Sequence, residues 1–205
     1  MINLAILITG RGTNMSAILN AIEKQEIINV DKIVVISNRE DSIGLQIAKN
    51  RFKVSTEIIL NKNITKEEFD KRLICTLKSY KVYPNNGLIC LAGFMQILGP
   101  FIVNMYKNCI LNIHPSLLPS FKGIHAQKQA IDAGVKVSGC TVHFVNTLVD
   151  NGPILLQKCV PVFDTDNETS LSDRILVEEH NLYKEAINLF INKKLNFTDK
   201  RVFIS

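Results

Sequence analysis

Residues 2–9 are apolar almost throughout, and the string Gly10-Arg-Gly-Thr-Asn14 follows without a break. Met15, Ile18, Leu19 and Ile22 then recur at the i, i+3, i+4, i+7 spacing of one helix face. A short, near-continuous apolar run suits a strand buried on both sides, the kind found in parallel sheets. A buried strand, a glycine turn and an amphipathic helix in that order leave few alternatives to a layered α/β fold.

The same alternation continues. Residues 32–36 predict a second strand, 42–50 a short helix and 54–60 a weaker third strand. Thr65-Lys-Glu-Glu68 has the spacing of a capping box and opens a long helix with Phe69, Leu73, Leu77 and Tyr80 on one face. Two further strands, 87–92 and 109–113, are joined by a segment around Gly99-Pro100 that holds a short helix. Residues 125–133 are helical, with Gly134 placed to cap the end. A late strand pair follows at 137–145 and 153–162, and Ser170 starts a final helix running to about Lys193. No helix separates the late pair, so its members are expected to be antiparallel. The fold class is therefore α/β, a doubly wound domain with a mostly parallel, mixed sheet flanked by helices. Ligands in such folds bind beyond the carboxyl ends of the strands.

At 205 residues the chain suits one such domain and is too short for two full-sized enzymatic ones. Ten glycines and six prolines are too few for disorder or a fibrous repeat. No apolar run approaches the length of a membrane-spanning helix, so no membrane partner is expected. The apolar N-terminus has neither a positive leader nor a small-residue cleavage site and reads as a strand. The five cysteines are odd in number and never form Cys-x-x-Cys, which argues against a disulfide framework or a zinc site. Most fall in apolar runs, where a free thiol behaves as a small buried hydrophobe, so a cytoplasmic protein is expected. Net charge is +5, but Lys and Arg are scattered rather than gathered into a stripe. That balance supports a mild attraction for anionic small molecules and no nucleic-acid partner.

Three places carry chemistry. Glycines at Gly10 and Gly12 let the backbone pass close to a ligand, and the helix start offers N–H groups and a partial positive charge. Thr13 and Asn14 add a hydroxyl and an amide, so a mononucleotide or sugar phosphate fits. A tight turn in which Thr13 or Asn14 caps the helix fits the same residues. The dinucleotide fingerprint needs a third glycine where Met15 stands, and nothing here completes a P-loop.

The second place is the stretch from Cys109 to Gly123. Asn112 and His114 point to one side of an extended chain, and Pro115 ends the strand. An amide beside an imidazole can hold an oxyanion and move a proton. The plainer alternative is an Asn bonded to loop backbone and an ordinary strand-end His. His125, His143 and His180 read more readily as structural or surface groups, though His143 could line the pocket. No metal-binding spacing unites the four, and no metal is expected. The third place is the turn Asp150-Asn-Gly152-Pro153. Asp150 either closes an Asx-turn or stands beside His114, where it would fix the ring's tautomer and favour the imidazolium. Spacing leaves both open.

Four segments together carry a family likeness: Gly10-Arg-Gly-Thr-Asn14, Leu91-Ala-Gly-Phe-Met-Gln-Ile-Leu98, Leu111-Asn-Ile-His-Pro-Ser-Leu-Leu-Pro119, and Thr141-Val-His-Phe-Val145 leading to Asp150-Asn-Gly-Pro153. Over essentially its whole length the chain resembles the phosphoribosylglycinamide formyltransferases, folate-dependent enzymes of purine biosynthesis also known as glycinamide ribonucleotide transformylases. The Asn-x-His-Pro-Ser-Leu-Leu-Pro string with a downstream Asp is specific to formyl transfer from 10-formyltetrahydrofolate. Methionyl-tRNA formyltransferase and formyltetrahydrofolate hydrolase share it. Each carries an extra domain for which this chain has no room.

The resemblance implies a Rossmann-like formyltransferase fold in a single domain over residues 1–205. Residues 1–100 form its phosphate-binding half and 101–205 its catalytic and folate-binding half. It places Gly12, Thr13 and Asn14 on the phosphate of glycinamide ribonucleotide, with Glu179 as an acidic contact to the same substrate. Met95, Gln96, Ile97 and Leu98 match the backbone strip that receives the pterin, and the 146–150 loop, with Asn146, its other wall. Asn112, His114 and Asp150 match the catalytic trio, and Asn112 and Asp150 also border the folate. Lys66 stands where the family has a folate-site arginine, keeping the charge but losing the planar fork. Gln96 replaces the arginine of the usual Phe-Met-Arg-Ile-Leu. The implied ligands are glycinamide ribonucleotide and 10-formyltetrahydrofolate, handled by a monomer or homodimer without metal. In the implied reaction the substrate amine attacks the formyl carbon while Asn112 and protonated His114 hold the oxyanion.

Overall fold

The computed structural model describes residues 1–192, 195–198 and 201–205. Its elements run β1 (Ile2–Ile8), α1 (Thr13–Glu23), β2 (Val30–Ser37), α2 (Ile43–Asn50), β3 (Ser55–Ile58), α3 (Lys66–Ser79), β4 (Gly87–Leu91), α4 (Pro100–Met105) and β5 (Ile110–His114). They continue with α5 (Ala126–Asp132), β6 (Val137–Phe144), β7 (Ile154–Pro161), α6 (Glu168–Ile191), β8 (Leu195–Phe197) and β9 (Val202–Ile204). Seven strands share one mixed sheet in the order β3-β2-β1-β4-β5-β6-β7, as expected of an α/β chain. The chain divides into two compact units, Met1–Asn112 and Ile113–Ser205.

In the first unit every strand pairing is parallel: β1 with β2 and β4, β2 with β3, and β4 with β5. Leu4 to Ile8 of β1 have no exposed surface, and all of β4 is buried. Those strands are therefore unbroken apolar runs rather than alternating ones. Asn3, the polar exception in β1, spends its amide on the Lys81 carbonyl at 2.6 Å and accepts from the Lys32 N–H at 3.2 Å. Helix α3 buries Phe69, Leu73, Ile74 and Leu77 along one stripe. Only half of its expected capping box forms. Thr65 accepts from the Glu68 N–H at 3.1 Å, while the Glu68 carboxylate turns instead to Arg72 one turn on.

In the second unit β6 and β7 are antiparallel, as the missing intervening helix implied, and α6 packs on both. Helix α6 starts at Glu168, two residues before the expected Ser170. The reason is a capping box in which Asn167 accepts from the Ser170 N–H and the Ser170 hydroxyl accepts from the Asn167 N–H. Its expected end at Lys193 lies outside the described residues. His125 is not inside α5 but precedes it in the left-handed region, φ 56°. The small β8–β9 hairpin was not foreseen from its short, mixed strands; Phe197 meets Phe144 edge-on at 4.8 Å.

The expectation of buried thiols holds for Cys90 and Cys140 but not for the rest: Cys109 is half-buried, and Cys75 and Cys159 are exposed. The last two lie on the solvent side of α3 and β7, a facing that apolar neighbours in sequence do not reveal. No helix among the described residues is long and apolar enough to cross a membrane.

Candidate active site

The loop after β1 is shaped by backbone packing. Gly12 is the N-cap of α1 at φ 70°, and a Cβ there would stand 3.0 Å from the Gly44 Cα. Gly44 in turn donates its N–H to the Gly10 carbonyl at 3.0 Å, and the Ser42 hydroxyl donates to the same oxygen at 3.0 Å. Two backbone segments this close admit no side chain at either glycine. Because Gly12 occupies the cap, Thr13 and Asn14 are the first residues inside the helix, and no side chain caps it. The alternative in which Thr13 or Asn14 serves as the cap is thereby removed. An anion at this helix start meets N–H groups and the positive end of the dipole.

Also in the first unit, residues 95–98 follow β4 as an irregular segment with Met95 and Ile97 facing solvent and Leu98 buried. Gln96 is half-buried. Lys66 is the first residue of α3 and is exposed.

Asn112 and His114 lie two apart on β5, on one face of the strand, with His114 only 5% exposed. The loop beyond Pro115 is fixed by buried polar groups. Thr141 donates its hydroxyl to the Ser116 carbonyl at 2.7 Å and accepts from the Leu118 N–H at 3.0 Å. Gln157 donates to the Leu118 carbonyl at 2.9 Å. That loop returns the Phe121 carbonyl to within 2.8 Å of His114 Nε2. A carbonyl can only accept, so Nε2 carries a proton and donates.

The other ring nitrogen, Nδ1, faces Asp150 Oδ2 at 3.4 Å. This is longer than a well-formed N–H···O bond and leaves the pair able to share a ligand atom. The Gly123 N–H donates to the same Asp150 oxygen at 2.9 Å, and His143 Nε2 lies 3.7 Å from Asp150 Oδ1. Burial by itself would raise the Asp150 carboxyl. The nearby His143 and His114 rings and the hydrogen bond from the Gly123 N–H overcome it and hold the carboxyl below its ordinary value. Both Phe121 (φ 53°) and Asp150 (φ 46°) sit in the left-handed region that favours glycine.

Asp150 therefore does not close an Asx-turn with its own loop; Asn146 does that, accepting from the Leu148 N–H at 3.0 Å. Asn146 also donates to the Asn151 carbonyl at 3.1 Å. Gly152 is required here because a Cβ would fall 1.7 Å from the Phe144 carbonyl oxygen. Glu179 is buried on α6. Its charge and that of Glu178 add to burial in pushing the Cys140 thiol up to about 12, so that thiol is no nucleophile at neutral pH.

Of the expected residues, His114 and Asp150 are brought together, with Asn112 beside His114 on the strand. Gly12, Thr13, Asn14, Lys66 and residues 95–98 belong to the first unit, and Asn146 and Glu179 to the second. Two members were undervalued from sequence. His143 shares Asp150, and its period-two register with Thr141 was the available signal. The Phe121 carbonyl left no signal at all. Among the described residues no cluster of His, Cys, Asp or Glu could hold a metal ion.

A family model described as Formyl transferase matches residues 2–187. Among solved structures, glycinamide ribonucleotide transformylase 1 from Symbiobacterium toebii superimposes with a TM-score of 0.93 at 44% identity, covering 100% of this chain and 94% of that one. Phosphoribosylglycinamide formyltransferase of Escherichia coli K12 is 35% identical over 202 residues, 98% of this chain and 93% of that protein. The trifunctional purine biosynthetic protein adenosine-3 of Chironomus tentans is 42% identical over 197 residues. The match covers 95% of this chain and only 14% of that longer protein. The chain belongs to the formyl transferase family, among its phosphoribosylglycinamide formyltransferases.

Proposed function

We propose that the protein transfers the formyl group of 10-formyltetrahydrofolate to the primary amine of N1-(5-phosphoribosyl)glycinamide, a step in making the purine IMP. The products are the N-formyl ribonucleotide and tetrahydrofolate. The observation that carries this reading is the His114 ring held between the Phe121 carbonyl and Asp150, two residues from Asn112 on β5. The amine attacks the formyl carbon, and the carbonyl oxygen becomes an oxyanion that the Asn112 amide and the His114 Nδ1–H stabilise. Collapse breaks the bond between that carbon and folate N10. The amine loses a proton and N10 gains one, with His114 Nδ1 and the Asp150 carboxylate as carriers.

The first-turn N–H groups of α1, with Gly12, Thr13 and Asn14, receive the substrate phosphate, and Glu179 is an acidic contact to the same ribonucleotide away from the phosphate. Residues 95–98, Asn146 and Lys66 receive the folate. Both ligands are small molecules, and a monomer or homodimer suffices. Five free thiols fit a cytoplasmic setting.

The test mixes the purified protein with both substrates and follows tetrahydrofolate and the formylated ribonucleotide by mass spectrometry. His114→Ala and Asn112→Ala should each lower kcat by about 10² to 10³, the usual cost of an oxyanion donor. A well-folded wild-type protein that forms neither product would overturn the assignment. A pure phosphate-binding module would then bind the ribonucleotide and ignore the folate.

A further inference from the structure

Residues 95–98 are an irregular segment with two exposed apolar side chains, Met95 at 75% and Ile97 at 56% exposure. Left to itself such a segment samples many conformations, and a ligand binding to it must first order it. Here it is pinned at both ends.

Thr9, the residue after β1, grips the first end twice. Its N–H donates to the Gly93 carbonyl at 3.2 Å, and its hydroxyl oxygen accepts from the Met95 N–H at 2.9 Å. The same hydroxyl spends its proton on Asn38 Oδ1 at 2.9 Å, and the Asn38 amide reaches Gln96 Oε1 at 3.4 Å. Asn38 is buried at the end of β2, so this relay is anchored in the sheet. The other end is held by Asp70, a carboxylate on α3 with 1% exposure, which accepts from the Gly99 N–H at 3.0 Å. A Cβ on Gly99 would lie 2.1 Å from that carboxylate, so any side chain there would have to push Asp70 off the Gly99 N–H.

We infer that Thr9 and Asp70 are positioning residues that preorganise residues 95–98 for the folate, with Asn38 orienting Thr9. The inference rests on the reading of those residues as the folate strip. It adds that a half-buried hydroxyl and a buried carboxylate outside the strip set its affinity. Gln96 belongs to the relay because its side chain can accept from Asn38; an arginine there has no acceptor.

The decisive variant is Thr9→Val, which keeps the shape and the N–H but loses the hydroxyl. The KM for 10-formyltetrahydrofolate should rise about tenfold, two neutral hydrogen bonds' worth. kcat and the KM for the ribonucleotide should stay within about twofold, and Thr9→Ser should restore the folate KM. A general structural defect would move all three constants together, and that result, or an unchanged folate KM, would overturn the inference. Hydrogen exchange on ligand-free wild-type protein tests the same point with no substitution. The Met95 and Gly99 amides should be protected well beyond the Ile97 amide, and equally fast exchange at all three would also overturn it. A wild-type protein that neither binds nor turns over the folate would refute the function above while leaving the exchange result to stand or fall alone.

Discussion

Asp150 combines a strained backbone with a carboxyl held below its ordinary value by His143, Gly123 and His114. A carboxyl whose value is depressed in the folded state adds stability above its ordinary value, about 3.9, and that contribution fades as pH falls below it. Urea unfolding between pH 3 and 7 should therefore show wild-type stability dropping more steeply toward acid than that of Asp150→Asn. The leading downward influence on Asp150 is the neighbouring His143 ring, 3.7 Å from its carboxylate. Removing it with His143→Phe should let the carboxyl rise, moving the acid limb of the kcat profile to higher pH, because the working form is the carboxylate. A limb that stays in place would separate His143 from the chemistry.

Among the elements, strands and helices were legible because burial imposes a period that the residues obey. β1, β4 and α3 could be read from their apolar spacing, and the Asn112/His114 pair from the two-residue alternation of β5. What could not be read was set by loops folding back. The Phe121 carbonyl reaches His114 through a left-handed residue with no sequence mark, and the pairing of Asp150 with His143 joins a turn to a strand by spatial closeness alone.

Two substitutions follow at this scale. Gly152→Ala puts a methyl group into the Phe144 carbonyl, so it should cost about 2 kcal/mol or more. It should also lower kcat by displacing Asp150, two residues away. Asn167→Ala removes the α6 cap. It should lower stability by about 1 kcal/mol, a Tm drop of about 2–4 °C, with kcat unchanged. Calorimetry and steady-state rates check both.

Over the whole molecule the net charge of +5 is the relevant quantity. Both proposed ligands are anions, so raising ionic strength from about 0.05 M to 0.5 M should lower kcat/KM a few-fold while leaving kcat nearly unchanged. A rate constant indifferent to salt would show that the excess lysines contribute nothing to capture. Stability is distributed unevenly: β1 and β4 have no exposed face, whereas β3 is a short edge strand with every residue half-buried or exposed. Amide exchange should therefore be slowest in β1 and β4 and fast in β3.

The bond from His114 Nε2 to a main-chain oxygen also dictates traffic. An imidazole free on both sides can take a proton in at one nitrogen and pass it out at the other, as a wire. This one is tethered, so anything it collects must leave through the same atom that received it. In the proposed reaction the ring can act only as a shuttle that loads and unloads on a single edge, and the carboxylate beside that edge is where the proton waits between the two halves of the exchange.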